Sequence, residues 1–70
     1  MTTLLSRVKF FDSAKGFGFA CPNEPGRPEV FLTDAVLRAA GVVNPKPGTS
    51  LVVTFDASHA KPRALVVRLS

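Results

Sequence analysis

Clusters of glycine, proline and small polar residues interrupt this 70-residue chain so often that only short apolar runs remain, and that spacing limits its fold. Five runs emerge, at residues 4–11, 17–21, 29–32, 50–55 and 64–69. Asp12-Ser13-Ala14-Lys15-Gly16 separates the first two as a turn. Three prolines and a glycine within residues 22–28 form a loop after the second run. A further loop over residues 42–48 holds Pro45, Lys46 and Pro47, and the last two runs flank a loop containing His59, Lys61, Pro62 and Arg63. β-Branched residues dominate those last runs (Val52, Val53, Thr54; Val66, Val67), which favours strands. Residues 33–41 begin with the cap-forming Thr33 and Asp34 and end at Gly41, which predicts a helix of one to two turns. Five short strands are too few for a two-sheet sandwich, whereas a closed or nearly closed barrel removes most free edges. The expected fold is all-β, a five-stranded barrel with a short helical segment between strands three and four.

The length supports a single domain over residues 1–70, and a chain of this size buries only about 60% of the surface it exposes when unfolded. No staple is available. The lone Cys21 has no disulfide partner in the chain, and together with the lone His59 it cannot complete a structural zinc site. Neither a signal-peptide core nor an apolar span of ~20 residues is present, so the expectation is a soluble cytoplasmic protein with no membrane role. Nine Lys and Arg against five Asp and Glu give a net charge of +4, which favours anionic partners, nucleic acid foremost.

All six aromatic residues are phenylalanines, and their spacing sharpens that reading. Successive side chains of a strand face opposite sides, which separates Phe17 and Phe19 from Gly18 and Ala20, and Phe31 and Thr33 from Val30 and Leu32. Either set can be the inner one. Phe is usually buried, which favours an inward set of rings. The aliphatic alternative fills the barrel with Val8, Val30, Leu32, Val36 and Leu37, one face of strand four (Leu51, Val53, Phe55) and one of strand five (Leu65, Val67, Leu69). In that arrangement the rings stand outside beside Lys9 and Lys15. Phe rings stack on unpaired bases at ~1–3 kcal/mol per base while cations neutralise phosphates, and duplexes hide those base faces. Gly16 and Gly18 would then keep the backbone low between the rings and admit a ligand.

Residues 8–19, Val8-Lys9-Phe10-Phe11-Asp12-Ser13-Ala14-Lys15-Gly16-Phe17-Gly18-Phe19, resemble the opening of bacterial cold-shock domain proteins. Lys15-Gly16-Phe17-Gly18-Phe19 is similar to that family's first ribonucleoprotein motif and Val30-Phe31-Leu32-Thr33 to its second. The likeness extends from about Arg7 to Leu69. It implies an antiparallel, five-stranded OB-fold-type barrel that binds single-stranded RNA or DNA through strands one to three. The positions carried over as nucleic-acid contacts are Lys9, Phe10, Phe17, Phe19 and Phe31, with Lys15, Thr33 and Lys61 added and Phe11 in a supporting role nearer the barrel wall. Val8 and Phe10 share parity, so an inward Val8 and an outward Phe10 require a bulge or twist in strand one. Phe10 replaces the family's usual Trp, Thr33 its usual His, and Asp34 an aromatic or aliphatic residue. Asp34 is expected to cap the helix.

The resulting expectation is a monomeric module that binds single-stranded nucleic acid and acts as an RNA chaperone or regulator of gene expression. A diverged barrel that binds a protein, or a second copy of itself as a dimer, is the alternative, its Phe patch serving as an apolar hot spot. No catalytic residues, cofactor, metal or small-molecule substrate are expected. A single His in a polar loop forms no triad, and Gly16-Phe17-Gly18 lacks the ending and helix of a phosphate-binding loop. His59 is expected to be solvent-exposed and Cys21 to be a partly buried free thiol.

Overall fold

Alternating apolar and polar side chains draw five segments into strands in the computed structural model, which describes residues 1–70. These are β1 (Thr2–Asp12), β2 (Phe17–Pro22), β3 (Val30–Thr33), β4 (Ser50–Phe55) and β5 (Ala64–Leu69), with one helix, α1 (Asp34–Ala39), between β3 and β4. The sheet order is β3-β2-β1-β4-β5, and every neighbouring pair is antiparallel. The sheet curls until its outer strands meet. A parallel bridge joins Phe31 to Arg63, and the Phe31 N–H donates to the Pro62 carbonyl at 2.9 Å. The architecture is the OB-fold type expected. No helix is long and apolar enough to cross a membrane.

The first strand bends at Lys9. Val8 stands opposite Ala20, but the next pair is Phe10 with Phe19, which leaves Lys9 as the extra residue of a bulge. On its other edge Val8 donates to the Thr49 carbonyl at 2.9 Å and accepts from the Gly48 N–H at 2.8 Å. The bulge reverses parity, so Val8 is buried while Phe10 is exposed two residues later. It also explains Gly18. A Cβ there would collide with the Phe10 carbonyl and lie 2.8 Å from the Phe11 Cα, so Gly18 is required by strand packing rather than by the approach of a ligand. Gly16, at φ 76°, closes the β1–β2 turn by donating to the Asp12 carbonyl at 2.8 Å.

The core is aliphatic apart from one ring. Val8, Ala20, Val30, Leu32, Leu37, Leu51, Val53, Phe55 and Val67 pack together, joined by Val42 and Ala64, which the alternation pattern did not single out. Val36 and Phe11 lie partly buried against this cluster. Leu65 and Leu69, expected inside, are 43% and 59% exposed. The β4–β5 register explains Leu65: Thr54 faces Val66 and Phe55 faces Ala64, so Leu65 is unmatched and Ala64 enters the core in its place. Leu69 faces Leu51 at the end of its strand but is not covered there.

Thr33, not Asp34, caps α1. Its Oγ1 accepts from the Val36 N–H at 3.3 Å, which satisfies one of the free donors at the helix start. Asp34 occupies the first turn and pairs with Arg38 at 2.9 Å. The chain leaves the helix through Ala40 and a left-handed Gly41 at φ 75°.

Candidate nucleic-acid interface

Four of the six phenylalanines meet on the outer face of β1, β2 and β3. The ladders set Phe10 opposite Phe19 and Phe19 opposite Phe31, so the three form one row across the strands, with Phe17 two residues from Phe19 on β2. Their ring centroids are 5.6 Å apart for Phe10–Phe19, 5.5 Å for Phe19–Phe31 and 5.8 Å for Phe17–Phe31. Phe17 and Phe31 are nearly parallel at 25°, whereas Phe19 and Phe31 meet edge to face. These separations lie in the range where aromatic pairs attract. Phe10 is 39% exposed and the other three are half-buried, packed against one another. The rings stay outside because the inner positions of β2 and β3 are already filled by Gly18, Ala20, Val30 and Leu32. Phe11 and Phe55 belong to the barrel instead.

The cations around the rings differ in availability. Lys9, set at the bulge, donates from Nζ to Glu29 Oε2 at 2.7 Å. The hydrogen bond with Lys9 holds the Glu29 carboxyl below its ordinary range, and the same bond raises Lys9 above its own. Cys21, a half-buried free thiol, donates to the same Glu29 oxygen at 3.8 Å. Lys15 sits in the β1–β2 turn, where its backbone N–H donates to Asp12 Oδ1 at 3.2 Å; its exposed side chain forms no ion pair. Lys61 and Arg63 are also exposed and unpaired, and the Phe31–Arg63 bridge draws both alongside Phe31. Thr33 faces Phe17 across the β2–β3 ladder, but its hydroxyl is occupied by the helix cap.

Barrel closure thereby builds an open groove of about 460 Å³ lined by Phe19, Phe31, His59, Lys61 and Arg63. A smaller one of about 290 Å³ continues past Phe19 and Phe31 towards Pro28, Glu29 and Pro62. His59 is exposed, as expected, yet it borders the rings, 3.7 Å from Asp56. His59, Glu29 and the specific place of Arg63 escaped the sequence reading. Nothing local announces them, because all three come to the rings through contacts between distant strands. A third hollow of about 220 Å³, between Phe11, α1 and the following loop, lies away from the rings, and its one cation, Arg38, is paired with Asp34.

No protein-family model matches the chain. Among curated proteins, the cold shock-like protein CspD of Escherichia coli K12 is 41% identical over 56 residues, covering 80% of this chain and 70% of that protein. The cold shock-like protein CspA of Rickettsia bellii is 28% identical over 68 residues, or 97% of this chain and 96% of its own length. Its counterpart in Rickettsia typhi is 26% identical over the same length. With a β1 bulge, an OB-type strand order and these relatives, the chain belongs to the cold-shock protein family.

Proposed function

We propose that residues 1–70 act as one monomeric domain that binds single-stranded RNA or DNA, serving as an RNA chaperone or a regulator of gene expression. The observation that carries this reading is the cluster of Phe10, Phe17, Phe19 and Phe31 on one outer face, bordered by the unpaired Lys61 and Arg63, with Lys15 unpaired in the turn that leads into Phe17. Bases freed from pairing stack on the rings, and the cations hold the backbone phosphates. Lys9 takes part by exchanging Glu29 for a phosphate, so its contribution is tempered by the pair it must break. Thr33 supplies only its methyl, since its hydroxyl stays with the helix. A duplex presents no free base face to this surface. Binding therefore draws a folded RNA towards its unpaired state through differential affinity alone, without a nucleotide cofactor.

The test is fluorescence anisotropy with labelled oligo(dT), oligo(U) and a matched duplex, at two salt concentrations. Single strands are expected to bind and the duplex not. Neutralising ~3–5 phosphates gives a slope of log K against log salt of roughly −2 to −3.5. Phe17→Ala is expected to weaken binding by ~1–3 kcal/mol while the barrel stays folded. Unchanged affinity in a folded Phe17→Ala variant would remove this face from consideration.

A further inference from the structure

The side of the barrel turned away from the rings carries an apolar strip with a cationic end. On β1, β4 and β5 the inner positions are Ser6, Leu51, Val53 and Val67, all buried, so the residues between them face outward. Their register places Thr3 beside Thr54 beside Val66 in one row, and Leu5 beside Val52 beside Arg68 in the next. Arg7 lies two residues beyond Leu5 on the same face. Leu5 is exposed and Val66 is 61% exposed, while the Thr3 and Thr54 hydroxyls between them bond to each other at 2.9 Å. The strip thus runs from aliphatic groups at one end to two guanidinium groups at the other.

Charge identifies what fits it. Neither row contains an acid, and the side-chain carboxylates of the chain are committed elsewhere: Glu24 to Arg27, Glu29 to Lys9, Asp34 to Arg38 and Asp56 to His59, with Asp12 accepting from the N–H groups of its own turn. Arg7 and Arg68 are exposed and have no partner within the chain. A second copy is disfavoured, because a two-fold interface sets the same patch against itself and would bring arginines towards arginines with no carboxylate between them. Nucleic acid finds no ring here on which to stack. Only Leu5, Val52 and Val66 supply aliphatic surface in the two rows, against the roughly 20–30 residues a side of a stable protein–protein interface, so a short segment suits the strip better than a folded surface.

We propose that the outer face of β1, β4 and β5 docks a short acidic segment of another protein, in which aliphatic side chains alternate with Asp or Glu. The aliphatic side chains cover Leu5, Val52 and Val66, and the carboxylates meet Arg68 and Arg7 as charge-assisted hydrogen bonds. Binding is weak and fast-exchanging, in keeping with so few contacts.

The experiment is a residue-resolved NMR titration of the full chain with a short synthetic peptide alternating leucine and glutamate, beside its leucine–lysine counterpart. The acidic peptide is expected to shift the amides of Leu5, Val52, Val66 and Arg68 saturably, and the lysine peptide to leave them in place. Arg68→Gln, on an exposed side chain, is expected to keep the folded spectrum and weaken the acidic peptide on the order of tenfold. Shifts confined to Phe17, Phe19 and Phe31, equal shifts with the lysine peptide, or no saturable shift each overturn the proposal. Single-strand binding at the rings, which lie on the other face, is tested separately by the oligonucleotide titration.

Discussion

Two sets of apolar side chains interleave residue by residue along β2 and β3 and meet opposite fates. Gly18, Ala20, Val30 and Leu32 are sealed in the barrel, whereas Phe17, Phe19 and Phe31 stay half-exposed on its outside. Hydrophobicity alone would place them the other way round, since the rings have far more area to bury. Space decides it. Where Phe10 and Phe11 of β1 cross Gly18, even a methyl group meets backbone, so this inner position of β2 accepts only glycine. The rings are left outside, and they cover one another instead.

The contrast breaks most severely at the one ring the barrel keeps. Phe55 is fully buried, and Phe55→Ala is expected to destabilise the fold by ~3–5 kcal/mol, read from urea unfolding followed by circular dichroism. A domain this small has little reserve, so such a variant is expected to be largely unfolded at 37 °C. Phe17→Ala is expected to leave stability nearly intact and act on binding, so comparing the two variants separates a structural ring from an exposed one.

Gly18→Ala examines the reason for the contrast rather than its result. The added methyl meets the backbone of Phe10 and Phe11, and strain of ~1–3 kcal/mol is expected in the same unfolding assay. A stability equal to the parent protein would mean that β1 yields at its bulge, and that size does not exclude the rings.

Smaller effects concern the charges beside the rings. Arg63→Gln removes an unpaired cation from the groove, and the salt slope for oligo(U) is expected to become shallower by ~0.7 if Arg63 meets one phosphate. An unchanged slope would assign Arg63 to barrel closure alone. Glu29→Gln frees Lys9, and a modest gain in affinity is expected in the anisotropy assay. Because the Glu29 pKa is lowered in the folded protein, its pairing stabilises the fold above the usual carboxylate range and is lost as pH falls through the lowered value. Lys9 is raised, so its part is complete below the ordinary lysine value and is lost as pH rises through the higher one. The pair therefore acts through the neutral range, and Glu29→Gln is expected to flatten the acid limb of stability against pH. An acid limb identical to that of the parent would show that the pair does not form in solution.

Much of this was legible in the chain, for an identifiable reason. β4 and β5 begin and end where the β-branched runs do, at Ser50–Phe55 and Ala64–Leu69. The parity that separates Phe17, Phe19 and Phe31 from Val30 and Leu32 is a local property of extended backbone, and the shared parity of Val8 and Phe10 meant that placing one inside and the other outside needed a bulge or twist. Errors arose where position depends on a partner far along the chain. Leu65 is displaced by a register shift against β4, and Gly18 answers to β1 rather than to a ligand; at the helix start the difference is local, Thr33 rather than Asp34 taking the cap through the Val36 N–H.

The sequence by itself determined the number of strands, the short helix, the excess of cations and the existence of a ring set opposed to an aliphatic set. It left open which set is inside. Tertiary structure decided that through the contact of β1 with Gly18, and it assembled the groove by joining Phe31 to Pro62 and Arg63. Lys9 likewise meets Glu29 only because β1 and the loop before β3 converge across β2. Alternation repeats every two residues and can be read locally, whereas bulges, closing bridges and ion pairs between strands depend on which distant backbones meet.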